Sequence, residues 1–394
     1  MSNGGNLLGG GIGGGIGGGI GGGIGGGIGG GIGGGIGGGI GGGIGGGIGG
    51  GIGGGIGGSP GAVAAARIST HDALANYWAP PEGNLNVGAH WKPDAAKLDY
   101  LSVQRRLTVM LGALMPLFPV SIDVSGKVSV GHPNNTICTM TKPTVAEFGA
   151  QMTWLRAYAD LRADRLTEIL LQADDITTAF MAVRPLGLPT FAGSAELVAL
   201  TQSLCIMVEM QVKHLLQSPR PALFSDKVQP VIDTPDHSAY PSGHATEAFA
   251  IATVLNRLEF DQSAQQGIAE GKQVFQLAHR IAVNRTVAGV HYPVDSLAGA
   301  TLGCSIGEAI AAYATETAPK AFNFRSDSFV KLDPDGTVIT NEDCTTDTLK
   351  RAIVGADGTA FAAPPAFLAQ QWRKATKAWN ENSAFPPNGT DPEV

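Results

Sequence analysis

The chain has 394 residues, 60 of them glycine, and carries 26 basic against 33 acidic side chains for a formal net charge of −7. That balance provides no basic stripe of the kind that releases counterions from nucleic acid, so nucleic acid is not an expected partner. A free-standing disordered chain is excluded as well, because the residues from Ser59 onward number about 330 and can bury a sizeable core.

The glycine excess has one address. Residues 9–56 repeat Gly-Gly-Gly-Ile twelve times, the first 58 residues hold 40 of the glycines, and every charged residue lies at or after Arg67. In an α-helix the isoleucines would drift by roughly 40° per repeat and each glycine would cost about 1 kcal/mol relative to alanine, which disfavours a lone helix. A β-strand would place every isoleucine on one face, and a polyproline-II-like helix would rotate them over three sides. Both extended forms leave backbone donors and acceptors facing outward. The expected consequence is self-association through residues 9–56 into a filament or bundle; a disordered tail and membrane insertion are the competing readings. The Gly-x-Gly-x-x-Gly matches inside the tract are accidents of composition, since no strand precedes them and no acidic residue follows at dinucleotide-binding spacing. The opening Met1-Ser2-Asn3 has no basic n-region, so no secretory leader is signalled.

Ser59-Pro60 begins a change of composition, and residues 59–97, with Trp78, Pro80, Pro81, Trp91 and Pro93, read as an irregular lead-in. Apolar residues at three-and-four spacing then predict helices over Leu98–Phe118, Thr144–Val183 with one break, Ala195–Leu216, Ala245–Leu258, Ala264–Asn284 and Tyr292–Tyr313. Pro143 and Ser194 are start signals, and Pro185 and Pro219 are stops. Residues 325–363 contain Asp333-Pro334-Asp335-Gly336 and suggest a turn-rich excursion with a short hairpin. The expected organisation is a tract over 1–58, a lead-in over 59–97, a mainly α-helical catalytic domain over 98–324, and a C-terminal segment, 325–394, packed on it. Past residue 58 the most apolar run, Leu107–Val120, is shorter than the ~20 residues that span a bilayer and contains Pro116 and Pro119. No transmembrane bundle is therefore expected, and the folded part reads as soluble. Cys138, Cys205, Cys304 and Cys344 are scattered, without the spacing of a disulfide scaffold or a zinc site, and are expected to be lone buried thiols; no metal is expected.

Three short patterns carry the chemistry: Lys213 followed by Arg220-Pro221, then Pro241-Ser242-Gly243-His244, then Arg285, His291 and Asp295 in the order Arg-x5-His-x3-Asp. On a helix, a spacing of four puts His291 and Asp295 on one face, so the carboxylate accepts from one ring nitrogen and leaves the other unprotonated as a nucleophile or ligand. Ser242-Gly243 opens an apolar helical run, so free amides at a helix start would face an anion, with Gly243 allowing close approach. Lys213, Arg220 and Arg285 add three cations to an acidic chain, which suits a tetrahedral oxyanion with two or three charges. His244 can act as general acid on a leaving oxygen.

The set resembles the superfamily of type 2 phosphatidic acid phosphatases, class A bacterial acid phosphatases and vanadium-dependent haloperoxidases, over about residues 200–305. The resemblance implies a helical bundle of the acid phosphatase/haloperoxidase type. It implies that Lys213, Arg220, Ser242, Gly243 and Arg285 bind the oxyanion, that His244 is the acid, that His291 is the nucleophile or vanadate ligand, and that Asp295 orients it. Asn284 departs from the pattern, since a serine or glycine often precedes the arginine; this touches only a supporting contact. The stretch Thr234–Tyr240 looks like haloperoxidases, with His237 where bromide-oxidising members often carry histidine, while Met210 stands where chloride-oxidising members have tryptophan. The expectation is a soluble, cofactor-free phosphatase acting on a small phosphorylated substrate through a phosphohistidine and displayed on the self-assembling tract. The alternatives are a vanadate-loaded haloperoxidase and a structural filament protein with a passenger enzyme fold.

Overall fold

The computed structural model describes residue 94 and residues 97–358 and 365–382. The Gly-Gly-Gly-Ile tract, its expected self-association and nearly all of the lead-in lie outside those residues. The chain divides into two compact units, Met1–Arg106 and Leu107–Val394, and every residue of the site described below belongs to the second.

The elements in chain order are α1 (Val103–Leu114), β1 (Val120–Ile122), β2 (Val128–His132), β3 (Asn135–Met140), α2 (Val145–Ala159), α3 (Arg162–Asp174), α4 (Thr177–Val183), α5 (Ala192–Leu216), α6 (Gly243–Phe260), α7 (Ala264–Ala269), α8 (Gln273–Val287), α9 (Pro293–Thr315), β4 (Lys320–Phe324), β5 (Val330–Leu332), β6 (Val338–Asn341), α10 (Thr346–Ala352), β7 (Gly355–Asp357) and α11 (Ala366–Asn382). The architecture is mainly α, as the periodicity predicts. The expected helix over Thr144–Val183 is broken twice rather than once. The second break is made by Asp175, whose carboxylate accepts the Thr177 and Thr178 amides and starts α4 afresh. Gly271, at φ +69°, splits the expected Ala264–Asn284 helix into α7 and α8.

The expected hairpin in 325–363 is present as β5 and β6, joined through the Asp333–Gly336 turn. Sequence reading missed a larger feature, a five-stranded sheet in the order β1-β2-β3-β4-β7. β3 runs parallel to β4, pairing Cys138 with Phe322, so the sheet ties residues 120–140 to the C-terminal segment. Its strands are three to six residues long, too short to raise a clear period-two signal.

α9 is the axis of the unit: every residue from Pro293 to Ala314 is buried. It packs against α6 through Gly299, Gly303 and Gly307, where an added Cβ would come closer than 3.0 Å to Ser242, Thr246 and Ala250 main-chain atoms. The stretch Pro189–Leu223, which contains α5, and α9 are both long and apolar enough to cross a membrane, which corrects the expectation that no helix is. The apolar window is 67% buried in the first and 100% buried in α9, so packing inside the fold accounts for much of that apolarity. The four cysteines are free and buried.

Gly303→Ala pushes a methyl group into backbone that cannot give way, and is expected to destabilise the protein by about 1–3 kcal/mol, read from denaturant unfolding. An unchanged midpoint would mean that the α6–α9 contact is slack.

Candidate active site

The site forms where α5 ends and α6 and α9 begin. Lys213 lies in the last turn of α5, which Gln217 closes at φ 43°. Its ammonium is 1% exposed and donates to the main-chain carbonyls of Pro241 at 2.5 Å and Ser238 at 3.2 Å. Arg220 follows in the loop, donating from Nε to His237 O at 3.0 Å and from Nη1 to Val290 O at 2.9 Å. Two cations are thus held by neutral carbonyls rather than by carboxylates, which leaves their charge uncancelled.

Arg285 sits near the end of α8 and is 1% exposed. Its Nη2 donates to Ile169 O at 3.1 Å and lies 3.4 Å from Gln172 Oε1, while Nε and Nη1 are buried with no hydrogen-bond partner among the described residues. Buried donors of this kind are costly unless an acceptor meets them. Burial pushes Arg285 down to about 10, partly offset by Glu168, and pushes Lys213 down to about 8, partly offset by Glu209.

After α8 the chain turns at Gly289, at φ +87°, and reaches His291. The spacing argument needs correction here. His291 precedes α9 instead of lying on it, and Asp295, in the first turn of α9, reaches back. Asp295 Oδ2 accepts the Tyr292 amide at 3.0 Å, capping the helix, and lies 3.0 Å from His291 Nδ1. His291 Nε2 is 3.1 Å from Arg220 Nη1, which can only donate. The lone pair is therefore on Nε2 and the proton on Nδ1, the tautomer required of a nucleophile. Burial and then Arg220 and Lys213 hold this histidine neutral, well below the usual range. Burial pushes the Asp295 carboxyl up to about 7, against the Tyr292 amide and Arg220.

Ser242 starts α6: its hydroxyl accepts from the Ala245 amide and its own amide donates to Asp295 O at 2.9 Å. A Cβ on Gly243 would collide with the Glu209 carboxylate. His244 Nε2 lies 3.0 Å from Gln172 O, which can only accept, so this nitrogen carries a proton and Nδ1 is the one left for chemistry. Burial and then Arg285 push His244 down to about 3. His237 flanks the cage, with Nδ1 3.2 Å from Arg220 Nη2. A cavity of ≈ 890 Å³ reaches Lys213, Arg220 and His237 and is walled in part by Met210, Leu223 and Asp236. Among the described residues no group of three His, Cys, Asp or Glu side chains could hold a metal ion.

Direct contacts and the charges that shift each histidine bring Lys213, Arg220, Arg285, His244, His291 and Asp295 into one neighbourhood. The sequence reading missed Gln172, whose Oε1 accepts from Asn284 at 2.9 Å and whose carbonyl holds His244. It lies 72 residues before His244, and no local pattern marks it. It also missed Glu209 and Glu247, although Glu209 stands one helical turn before Lys213.

Residues 194–317 match the model of the PAP2 superfamily. This segment is of the PAP2 superfamily. Two curated relatives, both decaprenylphosphoryl-5-phosphoribose phosphatase from Mycobacterium tuberculosis (strains CDC 1551 / Oshkosh and ATCC 25618 / H37Rv), are each 31% identical over 101 residues, 25% of this chain and 50% of theirs. The chain thus spans about half the length of the curated relatives it matches. A solved structure of a transmembrane PAP2 type phosphatidylglycerolphosphate phosphatase from Bacillus subtilis is similar over 52% of this chain and 90% of its own, at 15% identity and a TM-score of 0.32.

Gln172→Leu removes the acceptor shared by Asn284 and Arg285. It is expected to cost about 1–3 kcal/mol of stability and to weaken tetrahedral oxyanion binding by roughly tenfold, measured by unfolding and by calorimetric titration with tungstate. Equal affinity in both proteins would show that Arg285 needs no such anchor.

Proposed function

We propose that the chain is a phosphatase that hydrolyses phosphate monoesters through a phosphohistidine on His291. The observation that supports this reading best is the buried His291–Asp295 pair, with Nε2 unprotonated and turned to Arg220. Lys213, Arg220, Arg285 and the first amides of α6 receive the phosphoryl oxygens, and Arg285 has two donors waiting for them. Nε2 attacks phosphorus; the N–P bond forms as the bond to the leaving oxygen breaks, and His244 gives that oxygen a proton. Water then attacks phosphorus, His244 takes its proton back, the N–P bond breaks, and phosphate leaves with His291 restored. The incoming dianion offsets the cations that, after burial, depress His244, so substrate itself helps the acid to carry its proton. The phosphatase names of the mycobacterial relatives favour the same reaction.

One observation favours a second reading. His237 beside Arg220 suits a haloperoxidase, and the same three cations with His291 would hold vanadate, which has the shape and charge of phosphate. Bound vanadate would supply activation of hydrogen peroxide for halide oxidation. Assembly through residues 9–56 is a separate proposal, supported only by the repeat. It is tested by microscopy of the full chain against a chain starting at Ser59, where filaments formed equally by both would remove any role for the repeat.

With p-nitrophenyl phosphate, His291→Ala is expected to lower turnover by on the order of 10³-fold or more, and rapid alkaline denaturing quench of the native protein should trap an acid-labile, alkali-stable phosphohistidine. His244→Ala should cost about 10²–10⁴-fold with an alkyl phosphate and less with p-nitrophenyl phosphate, whose leaving oxygen needs little protonation. Bromide oxidation with vanadate and peroxide, without phosphate release from either ester, would replace the phosphatase reading by the second one.

A further inference from the structure

The mechanism leaves two carboxyl groups beside the cage unused. On α5, Cys205, Glu209 and Lys213 recur every four residues and so share one face. On α6, Glu247 stands one turn beyond Gly243 and His244. The two faces meet, because the Glu209 carboxylate lies against Gly243 where a Cβ would be. Glu209 is 4% exposed, and its Oε2 has no hydrogen-bond partner among the described residues. Glu247 Oε2 accepts from Gln202 Nε2 at 2.8 Å. Neither glutamate forms an ion pair with Lys213, whose hydrogen bonds go to Ser238 and Pro241 carbonyls.

A buried carboxyl without a donor keeps its proton. Burial and then the charge of Glu247 hold Glu209 well above the usual carboxylate range, while burial pushes Glu247 up to about 7 against its Gln202 hydrogen bond. The charge balance of the cage then depends on this pair. With Asp295 ionised against the His291 Nδ1 proton, Lys213, Arg220 and Arg285 amount to a net two positive charges when both glutamates are neutral, which matches a dianion. Ionisation of one glutamate leaves one positive charge, and ionisation of both leaves none.

We propose that Glu209 and Glu247 form an electrostatically coupled carboxyl pair whose protonation links binding of a dianionic phosphoryl group to uptake of a proton. The pair acts through the cage and does not touch the substrate. It favours dianionic ligands in mildly acidic surroundings and releases them as pH rises through the neutral range. This rests on the reading of the cage as an oxyanion site. Lys213 and Cys205 on α5 act on the pair directly, and the remaining titratable and charged groups of the cage are His244 on α6, Arg220 from the loop, and Arg285, His291 and Asp295. Burial lifts Cys205 out of this range, and burial with the cations drops His244 and His291 below it. Lys213 and Asp295, near 8 and 7, contribute to proton uptake, so the test compares variants instead of relying on the native pH profile alone.

The probe is tungstate, kept dilute enough to remain the monomeric tetrahedral dianion, which does not itself titrate between pH 6 and pH 7.5, added to the full chain by calorimetry in buffers of different ionisation enthalpy. The native protein is expected to take up about half a proton or more per tungstate at pH 7.5, with affinity falling by up to about tenfold per pH unit above the midpoint of the pair. Glu247→Gln should lower that uptake by at least half and show a clearly shallower fall in tungstate affinity between pH 6 and pH 7.5 than the native protein, the remainder coming from Lys213 and Asp295. Gln202→Leu removes the donor that favours the ionised form and should move the fall in affinity to higher pH. Uptake unchanged in Glu247→Gln, or a native affinity that does not vary with pH, would overturn the pair. Tungstate that fails to bind the native protein at pH 6 would instead overturn the oxyanion cage.

Discussion

The arrangement turns on one carboxylate. Asp295 Oδ2 accepts the Tyr292 amide, which starts α9, and holds His291 Nδ1, while the Asp295 carbonyl receives the Ser242 amide, which starts α6. Two helix starts and one histidine are therefore referred to a single residue with no exposed surface. Because helix ends leave unpaired amides that must find acceptors, the same requirement that begins α9 also fixes the imidazole. One carboxylate oxygen thus serves both the helix start and the histidine.

The second constraint is electrostatic. Three buried cations with no carboxylate in ion-pair contact among the described residues would be unfavourable in an ordinary core, and the fold meets them with main-chain carbonyls at Ser238, Pro241, His237, Val290 and Ile169. Carbonyls satisfy donors without cancelling charge. The pocket is thereby left with a positive field and with unpaired donors on Arg285. The glycines of α9 serve the same end, since close approach to α6 brings the His291 loop beside the first turn that carries Ser242 and Gly243.

Much of this was legible in the residues. Lys213, Arg220, Ser242, Gly243, His244, Arg285, His291 and Asp295 fall in short ordered patterns, because each group is presented by one local element whose geometry needs particular neighbours. Long helices were legible for a similar reason, as α5, α6 and α9 repeat their apolar residues over several turns. The sheet was not, since β1, β2, β3, β4 and β7 are short and pair across nearly the whole unit. Gln172 was not, since its only link to His244 and Arg285 is spatial.

The order of residues along the chain determined which side chains the cage would use and the chemistry they could perform, because motif spacing is a local property that backbone geometry translates directly. Only the tertiary structure decided how they are held: His291 outside the helix, Arg285 with two donors unpaired, and Glu209 pressed against Gly243. Those features depend on burial and on contacts between segments far apart in the chain, and burial, more than residue type, sets which group carries a proton.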